Sequence, residues 1–487
     1  MAARGDLLLL VGGRLASVLL ALVSIRLSTT LLPPEQYGIL ALLVTFQVFC
    51  GLFLINPVGQ YINRHTHEWV DDHTLLARLS RYRRYVFFAG LTGALAFCAW
   101  ATLQPLPWSE RLLYMVAVTA MVLAATWNAT SVSLLNMLGL RSASVTWAIV
   151  TSCAGLLISG LLVVQWPNGL AWFAGQAAGM AMGAVGAGRA VRRCLPVPVA
   201  GDYPLLDASA VRSYILPLAA ATGFMWWQLS GFRLLIEHYW GLAALGMVAV
   251  GLGVANQLWS VFESLVMQFL FPLFYRRIAA SSVLDGQQAF SDLINSLGPM
   301  YLVFAAATLV AAPALVTLFL ASSYEGVRMF VFLGMLAECT RALGNLFAVG
   351  AQVEKRMGAL ILPYAVGAVL LTSCLIFAAG IGANILQAIG MVIFAGLGML
   401  VTMILRVRRL VSFKFDTRCW IAAILLFGCI ACVGWMWQSL AETWIVSLGM
   451  LMLTGLISVL AWAVLYWMSP GIQRLLSVRL MPTFSGK

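Results

Sequence analysis

Charged and amide side chains that fall inside long apolar stretches are the first candidates for function in this sequence. They are Arg14, Arg26, Arg233, Asn256, Glu263, Glu338 and Arg341. A charged side chain at the centre of a bilayer costs about 2.5 to 3.5 kcal/mol on insertion scales, so such residues mark functional positions in membrane proteins. A guanidinium stays charged and binds phosphate through two parallel hydrogen bonds. The four arginines and Asn256 therefore predict a substrate cavity for a phosphate-bearing ligand.

Arg14, Arg26 and Arg233 also have structural explanations, which the sequence leaves open. Arg14 and Arg26 lie within about ten residues of a helix end, so their long side chains can snorkel to the membrane surface. Arg233 precedes Glu237 by one helical turn, and the two side chains can form an ion pair. The sequence alone does not choose between a cavity and these structural roles.

A second group of ionisable residues is predicted in the C-terminal half. Glu338 and Arg341 lie one turn apart near the middle of a span, either as a neutralised structural pair or as part of a proton-coupled or gated site. Asn256 and Glu263 share a face of an earlier helix. Glu263 has no basic neighbour there, so it needs a partner such as Arg341 or Arg14, or a proton. Glu263 and Glu338 are therefore the candidates for ion coupling.

Aromatic residues suggest where a sugar could stack. Most of the 17 tryptophans fall near span ends, where aromatic belts anchor helices at the membrane surface. Trp226 instead shares a helical face with Arg233. Trp227 and Trp259 also lie inside spans and are further candidates for contact with the substrate. Trp226 is the aromatic residue assigned to the substrate cavity, and interfacial packing is the alternative.

The nine cysteines predict neither a disulfide framework nor a metal site. Nearly all lie in apolar stretches, and the CxxC formed by Cys429 and Cys432 has no His, Asp or further Cys nearby. We therefore expect no metal and no cofactor.

The amino-acid composition indicates a membrane protein. Of its 487 residues 62% are hydrophobic and 9% are charged, and the mean hydropathy is +0.95. No soluble protein can bury that much apolar surface, and apolar runs without period-two alternation favour helices over a barrel. The net charge of +12 comes with no soluble segment long enough to form a nucleic-acid-binding face. The chain is thus predicted to be an all-α polytopic membrane protein that does not bind nucleic acid.

About fourteen stretches are long enough to span a bilayer, which needs about 20 apolar residues per helix. They are residues 8–31, 37–58, 85–103, 112–134, 143–164, 170–189, 213–237, 242–272, 297–320, 328–351, 358–379, 383–405, 420–437 and 444–467. Residues 1–190 are predicted to form an N-terminal six-helix bundle and residues 213–405 a C-terminal one. The Pro- and Gly-containing stretch 191–212 is a predicted cytoplasmic linker, and 406–487 adds two helices and a cytoplasmic tail.

Basic residues predict the orientation, because cytoplasmic loops retain Lys and Arg. All 29 of them fall on one side of the predicted topology apart from Arg111 and Arg328 on the other side and the four arginines inside spans. Both termini are therefore predicted to be cytoplasmic. The loops on the opposite side are short, and longer connections are predicted at 61–84, 189–212 and 276–296. Without a sizeable outer loop we expect no enzymatic activity such as glycan polymerisation or acyl transfer.

A weak internal repeat supports two bundles. IRLSTTLLPPEQYGILALL and FRLLIEHYWGLAALGMVAV each run from an Arg-bearing helix through an outer turn into a helix that contains Gly38 or Gly246. Transporters built from two such halves place the substrate between them and work by alternating access.

Several segments, taken in order, resemble a known family. They are an Arg-bearing first helix leading into LLPPEQYGILALL, a seventh helix opened by Pro217 and containing FRLLI, then AALGMVAVG, and SSYEG before the tenth helix. Over most of its length the chain resembles the polysaccharide-transporter family, the Wzx-like O-antigen flippase branch of the multidrug/oligosaccharidyl-lipid/polysaccharide superfamily. The resemblance implies a bacterial inner-membrane flippase for an undecaprenyl-diphosphate-linked oligosaccharide or polysaccharide repeat unit.

Three alternatives stay open at this point. A lipid II flippase of the same superfamily fits the sequence equally well in topology. A drug or cation antiporter shares the topology but is expected to carry more acidic than basic cavity residues. A membrane-embedded polymerase or acyltransferase is disfavoured by the short outer loops. The expected partners are the lipid-linked glycan, membrane lipids, and polysaccharide polymerase and assembly proteins.

Overall fold

A computed structural model describes residues 2–103, 107–195, 201, 203–279, 283–354, 356–436, 443–468, 471 and 473. Within these residues the chain forms helices joined by short turns and contains no strand. The prediction of an all-α chain is confirmed.

The helices of the first half are long and separated by tight turns. They are α1 (Ala2–Leu31), α2 (Pro34–Phe49), α3 (Asn56–Asp71), α4 (Leu75–Ala101), α5 (Trp108–Met137), α6 (Arg141–Gln165), α7 (Gly169–Cys194), α8 (Ala208–Ala210), α9 (Leu216–Trp226) and α10 (Arg233–Phe269). Three π-helical segments, Cys50–Ile55, Val211–Ile215 and Trp227–Gly231, join consecutive helices. Only the third is followed by a turn residue, Phe232, before the next helix begins. The first π segment makes α2 and α3 one continuous rod.

The second half also consists of helices. Its helices are α11 (Phe271–Ala279), α12 (Val283–Phe319), α13 (Arg328–Val353), α14 (Ile361–Gly380), α15 (Ile385–Arg408), α16 (Thr417–Met436) and α17 (Trp444–Met468). Short 3₁₀ segments at Ser322–Val327 and Met357–Leu360 precede α13 and α14.

The fourteen predicted spans all coincide with helices of the described chain. By length and composition, ten helical stretches are long and apolar enough to cross a membrane, and Ala16–Leu31 and Thr417–Val433 are shorter apolar helices. One of the ten, Val211–Met267, contains two predicted spans, because Gly241 interrupts α10 with φ +83°. The remaining predicted span, 170–189, lies in α7. The chain is a multi-pass membrane protein.

The prediction of long inner connections was wrong for two of the three. Most of 61–84 belongs to α3 and α4, and most of 276–296 to α11 and α12. Hydropathy detects the apolar part of a helix and misses an amphipathic extension. In α3 the buried residues Tyr61, Ile62 and Trp69 follow helical spacing while their neighbours are polar, so the helix continues past its apolar part.

The chain divides into two compact units, residues Met1–Ala249 and Val250–Lys487. The core of the first unit includes Leu43, Phe46, Val118 and Phe173, all nearly inaccessible. In the second unit, Val303 of α12 packs against Cys419, Ala423 and Leu465 of the last two helices. The predicted bundle boundaries around 191–212 stay a prediction.

Two glycines of the first unit allow α2 and α10 to cross at backbone contact. A Cβ atom on Gly38 would collide with the carbonyl oxygen of Leu242, and one on Gly246 would collide with that of Pro34. The two contacts are reciprocal, because each glycine meets the residue four positions before the other. Close approach through small residues is the usual way in which membrane helices associate. These are the same two glycines that align in the internal repeat.

We predict that Gly38→Ala and Gly246→Ala each destabilise this helix crossing. The colliding atoms are backbone carbonyls that cannot rotate away, so each substitution should cost about 1 to 3 kcal/mol. Thermal unfolding of the purified protein in detergent should show a lower midpoint for both variants. The double variant should lose less than the sum, because the first methyl already separates the helices.

Gly253→Ala is the matched control. A Cβ at Gly253, on the same helix α10, meets nothing within 4 Å. Because alanine is the better helix former, this variant should unfold at the same or a higher temperature. Equal effects of all three substitutions would contradict the assigned crossing.

Candidate functional site

A polar groove runs along one side of the first unit, between the α2–α3 rod and the helices α4 and α5. Its volume is about 480 Å³. Gln47, Gly51, Ile55 and Gly59 recur every four residues along the rod, so they share one helical face. Gly51 and Gly59 leave the space between the larger side chains open. The groove therefore follows about four turns of a single helix.

The polar groups of the groove are all uncharged. They are the amides Gln47, Asn56, Gln60 and Asn63 and the hydroxyls Tyr82, Thr126, Thr130 and Ser133. The remaining lining residues are small or aliphatic, and none is acidic or basic. An amide or hydroxyl side chain both donates and accepts hydrogen bonds. Such a lining can hydrogen-bond hydroxyl groups while its apolar parts contact C–H surfaces.

Some of these groups bond to one another and others face the groove. Gln60 donates to Asn56 at 3.2 Å and accepts from the Tyr214 hydroxyl at 3.1 Å. Within the part of the chain that the structure describes, the side chains of Gln47, Asn63 and Thr126 make no hydrogen bond to another residue. These three side chains can therefore form hydrogen bonds with a ligand in the groove.

Trp226, predicted to contact substrate, fastens the end of α9 to the rod. Its Nε1 donates to the carbonyl of Thr45 at 3.0 Å, and its ring meets the edge of Phe49 with 4.9 Å between centroids. Phe49 in turn stacks on Phe53 at 5.4 Å. The indole N–H is thus used within the protein, while the half-buried ring keeps part of its surface accessible. The sugar-contact role of Trp226 stays a prediction.

Arg26 and Arg233, the two predicted arginines of this unit whose side chains the structure describes, lie in different environments. Arg26 is exposed on α1, and the side chain of Arg14 lies outside the described residues. Arg233 is half-buried at the start of α10 and interacts electrostatically with Tyr37, whose hydroxyl bonds Ser28. Glu237, one turn after Arg233, is buried. Their role as phosphate ligands remains a prediction.

The predicted ionisable group of the second unit does come together. Arg341 of α13 donates through Nη2 to Glu263 of α10 at 2.5 Å and through Nε to Glu338 at 2.5 Å. Asn256, two turns before Glu263, donates to the other oxygen of Glu338 at 3.0 Å. Of the two partners that the sequence left open for Glu263, the structure selects Arg341.

The charges of this cluster do not cancel. Two ionised carboxylates face one guanidinium, so the cluster formed by Glu263, Glu338 and Arg341 carries a net charge of −1. The side chains are only 20%, 13% and 17% exposed, respectively. In a partly buried site such an excess negative charge is poorly solvated. The cluster is therefore larger than the pair formed by Glu338 and Arg341 alone, and its role in ion coupling stays a prediction.

Two tyrosines lie near the cluster, Tyr301 of α12 and Tyr364 of α14. The Tyr364 hydroxyl donates to Oδ1 of Asn345 at 3.3 Å. Trp259 is fully buried and meets Tyr301 edge to face at 5.7 Å, so it packs the core. The expectation that Trp259 contacts substrate is wrong for this conformation, because none of its surface is accessible.

The groove was not found by sequence reasoning. In the sequence, Gln47, Asn56 and Asn63 are isolated polar residues near the end of a predicted span. They line a cavity only because α5 packs opposite them. A signal was nevertheless present, since amides recurred on one face of an otherwise apolar helix and Asn56 preceded Pro57. The pair of glycines at 51 and 59 marks the same face.

No protein-family model matches this chain, and no curated protein sequence matches it. Solved structures do share its fold. The lipid II flippase MurJ in an inward closed conformation aligns with a TM-score of 0.61 at 10% identity, covering 95% of this chain and 98% of that one. A eukaryotic MATE transporter aligns at 0.57 and 16% identity, covering 88% and 98%, respectively. An inward-facing multidrug resistance MATE family transporter of the MOP superfamily aligns at 0.52 and 10% identity, covering 85% and 94%.

We predict that Arg341→Gln strongly destabilises the second unit. Removing the guanidinium leaves two partly buried carboxylates facing each other, which typically costs about 3 to 5 kcal/mol. Thermal unfolding in detergent at neutral pH should show this loss.

The second-site test is Glu263→Gln in the Arg341→Gln background. If the cluster is a true charge network, the double variant should unfold at a higher temperature than Arg341→Gln alone. Arg406→Gln, an exposed arginine of α15, controls for loss of one positive charge. Additive losses in the double variant would refute the network.

Proposed function

We propose that this protein is a flippase that moves a prenyl-diphosphate-linked oligosaccharide or polysaccharide repeat unit across the cytoplasmic membrane by alternating access. The observation that carries this proposal is the chemistry of the groove in the first unit. Its lining is amide, hydroxyl and aliphatic, with no charged residue. Binding sites for neutral polyhydroxylated ligands combine apolar surface with a few placed hydrogen-bonding groups.

The fold supports the same reading. One structural neighbour is a lipid II flippase. The other neighbours are described as MATE transporters, so the fold alone does not choose a substrate. The uncharged groove favours a glycan, because a cationic drug in a membrane cavity is best stabilised by a carboxylate.

The arginines are proposed to serve the diphosphate. Arg26 and Arg233 have the side chain that binds phosphate through two hydrogen bonds at once, and Arg14 would do the same. Arg341 is already held by Glu263 and Glu338 in this structure. It can bind phosphate only after one carboxylate is protonated or leaves, so cation or proton uptake there would favour anion binding.

An antiporter is the second candidate, and the acidic excess around Arg341 is the observation that favours it. A lipid II flippase is a third, differing from our proposal in the glycan alone. We further propose an inner-membrane location with both termini cytoplasmic, as the distribution of basic residues predicts, and cooperation with polysaccharide polymerase and assembly proteins.

Transport in proteoliposomes tests the proposal. We expect the wild type to move a prenyl-diphosphate oligosaccharide across the bilayer, measured by protection of the labelled glycan from an external enzyme or quencher. Gln47→Leu, Asn63→Leu and Thr126→Val should each lower the rate by about tenfold, because each removes one hydrogen bond to the glycan, worth about 1 to 1.5 kcal/mol. Arg233→Ala should lower it further.

Two controls locate the effect. Bare prenyl diphosphate should move equally well in the wild type and the groove variants, since it has no sugar to bind. Thr92→Val changes an exposed hydroxyl of α4 whose bond stays within its own turn, and transport should not change. If lipid II is the only lipid that moves, the protein is a lipid II flippase. If no lipid moves but a cationic dye is exchanged for protons, the antiporter is correct.

Ion coupling is tested separately at the second unit. We expect Glu338→Gln to abolish the dependence of transport rate on a proton or Na⁺ gradient, because the cluster then carries no excess charge. Transport driven by membrane potential should continue at a lower rate. An unchanged ion dependence in Glu338→Gln and Glu263→Gln, with normally folded protein, would remove the coupling role.

A further inference from the structure

A second cavity of the first unit, distinct from the groove, combines three arginines with an apolar wall. It measures about 590 Å³ and lies between α4, α5 and α7. Its basic residues are Arg83, Arg84 and Arg192. The other lining residues are all apolar or aromatic, namely Val86, Phe87, Phe88, Leu123 and Trp127.

The order of residues on α4 separates the cavity into a charged end and an apolar end. Phe87 and Phe88 follow Arg83 and Arg84 by four residues, so each aromatic ring lies one turn along the helix from a guanidinium. Phe87 is 49% exposed and Phe88 63%. In a membrane protein, aromatic surface exposed to this extent faces lipid. The guanidinium groups therefore lie where the hydrocarbon surface ends.

A smaller cavity continues from the charged end into the protein. It measures about 140 Å³, and it shares Arg83, Trp127 and Arg192 with the larger one. Its own polar groups are the hydroxyls of Ser80, Thr130 and Ser131. The arginines thus lie between an apolar cavity that is open to lipid and a small hydroxyl-lined pocket.

The three arginines have no acidic partner among the described residues. The ion pairs of the described chain involve other residues, and Arg83, Arg84 and Arg192 are all exposed. Three unneutralised guanidinium groups around one cavity attract an anion, and a guanidinium is well suited to phosphate. Basic pockets between membrane helices are typical sites for anionic lipid headgroups.

We propose that Arg83, Arg84 and Arg192 bind the phosphate of an acidic phospholipid from the surrounding leaflet. The acyl chains would lie along Phe87 and Phe88, and the polar part of the headgroup would enter the pocket formed by Ser80, Thr130 and Ser131. The open apolar wall favours a lipid over free phosphate, which has no surface to bury there. The three arginines lie outside the groove, and Thr130 alone lines both the groove and the hydroxyl pocket. The proposal does not rest on the proposed function.

Lipid binding to the delipidated full-length protein tests the proposal. Phosphatidylglycerol and phosphatidylcholine with identical chains would be titrated and occupancy followed by native mass spectrometry. We expect the wild type to bind phosphatidylglycerol at least about tenfold more tightly. Arg83→Gln, Arg84→Gln and Arg192→Gln together should weaken it by about 100-fold, at about fivefold for each arginine. Phe88→Ser should also weaken binding, although it removes no charge.

The matched control is Arg193→Gln, Arg406→Gln and Arg409→Gln together. These arginines are exposed and outside the cavity, so the control loses the same net charge and should bind as the wild type does. Circular dichroism and thermal unfolding verify that each variant is folded, and the single Arg→Gln variants replace the triple if it is not.

Several results would overturn the proposal. Equal loss of phosphatidylglycerol in both triple variants would reduce the site to general surface charge. Displacement of the lipid by inorganic phosphate at equal concentration would make it a free-anion site. If prenyl diphosphate displaces phosphatidylglycerol at a concentration below that at which phosphatidylglycerol itself binds, the cavity belongs to the transported lipid. Only selective loss in the cavity variants, with phosphate ineffective, supports the resident phospholipid.

Discussion

Backbone hydrogen bonding in hydrocarbon is the constraint from which the rest of this structure follows. An unsatisfied N–H or C=O group costs several kcal/mol where no water can reach it, so every crossing segment must be helical. With the backbone satisfied inside each helix, association depends on how closely helices approach. Gly38 and Gly246 let α2 and α10 touch at their backbones. Even the irregular stretches of the α2–α3 rod and α9 are π-helical, which keeps the chain hydrogen-bonded while shifting the helical face.

That shift of face bears on the groove. The π segment Cys50–Ile55 lies in the middle of the groove-lining surface, between Gln47 and Asn56. An α-helix carries a given face forward with a fixed period, and a π turn inserts one extra residue into it. Here the insertion brings the amides of α3 onto the same side as Gln47, so one uncharged surface spans two helices. π turns are frequent at functional sites for this reason.

The helices were predictable because hydropathy is a local property of the sequence, and each of the fourteen predicted spans coincides with a helix of the described chain. The amphipathic ends of α3 and α12 were not, since their apolar residues are too dilute for a hydropathy window. Spacing correctly grouped Glu338 with Arg341 and Asn256 with Glu263, because each pair lies on one helix. That both pairs form a single cluster depends on how α10 packs against α13, and no one-dimensional pattern contains this information. The groove was not predicted for the same reason, because its second wall is formed by α5, which is distant in sequence from the α2–α3 rod.

The groove and the cluster around Arg341 differ in charge, and this limits how they could act together in the proposed transport. The groove is uncharged, while the cluster around Arg341 has a net charge of −1, so the cluster repels a lipid diphosphate unless a cation or proton neutralises it. Binding of a cation or proton would then raise the affinity for the anionic lipid, and binding of the anionic lipid would raise the affinity for the cation or proton by the same factor. For an anion leaving a cell, the inside-negative potential already contributes about 2.3 kcal/mol per charge per 100 mV. Coupling at Glu263 and Glu338 would therefore act on substrate affinity rather than supply the main driving force for export.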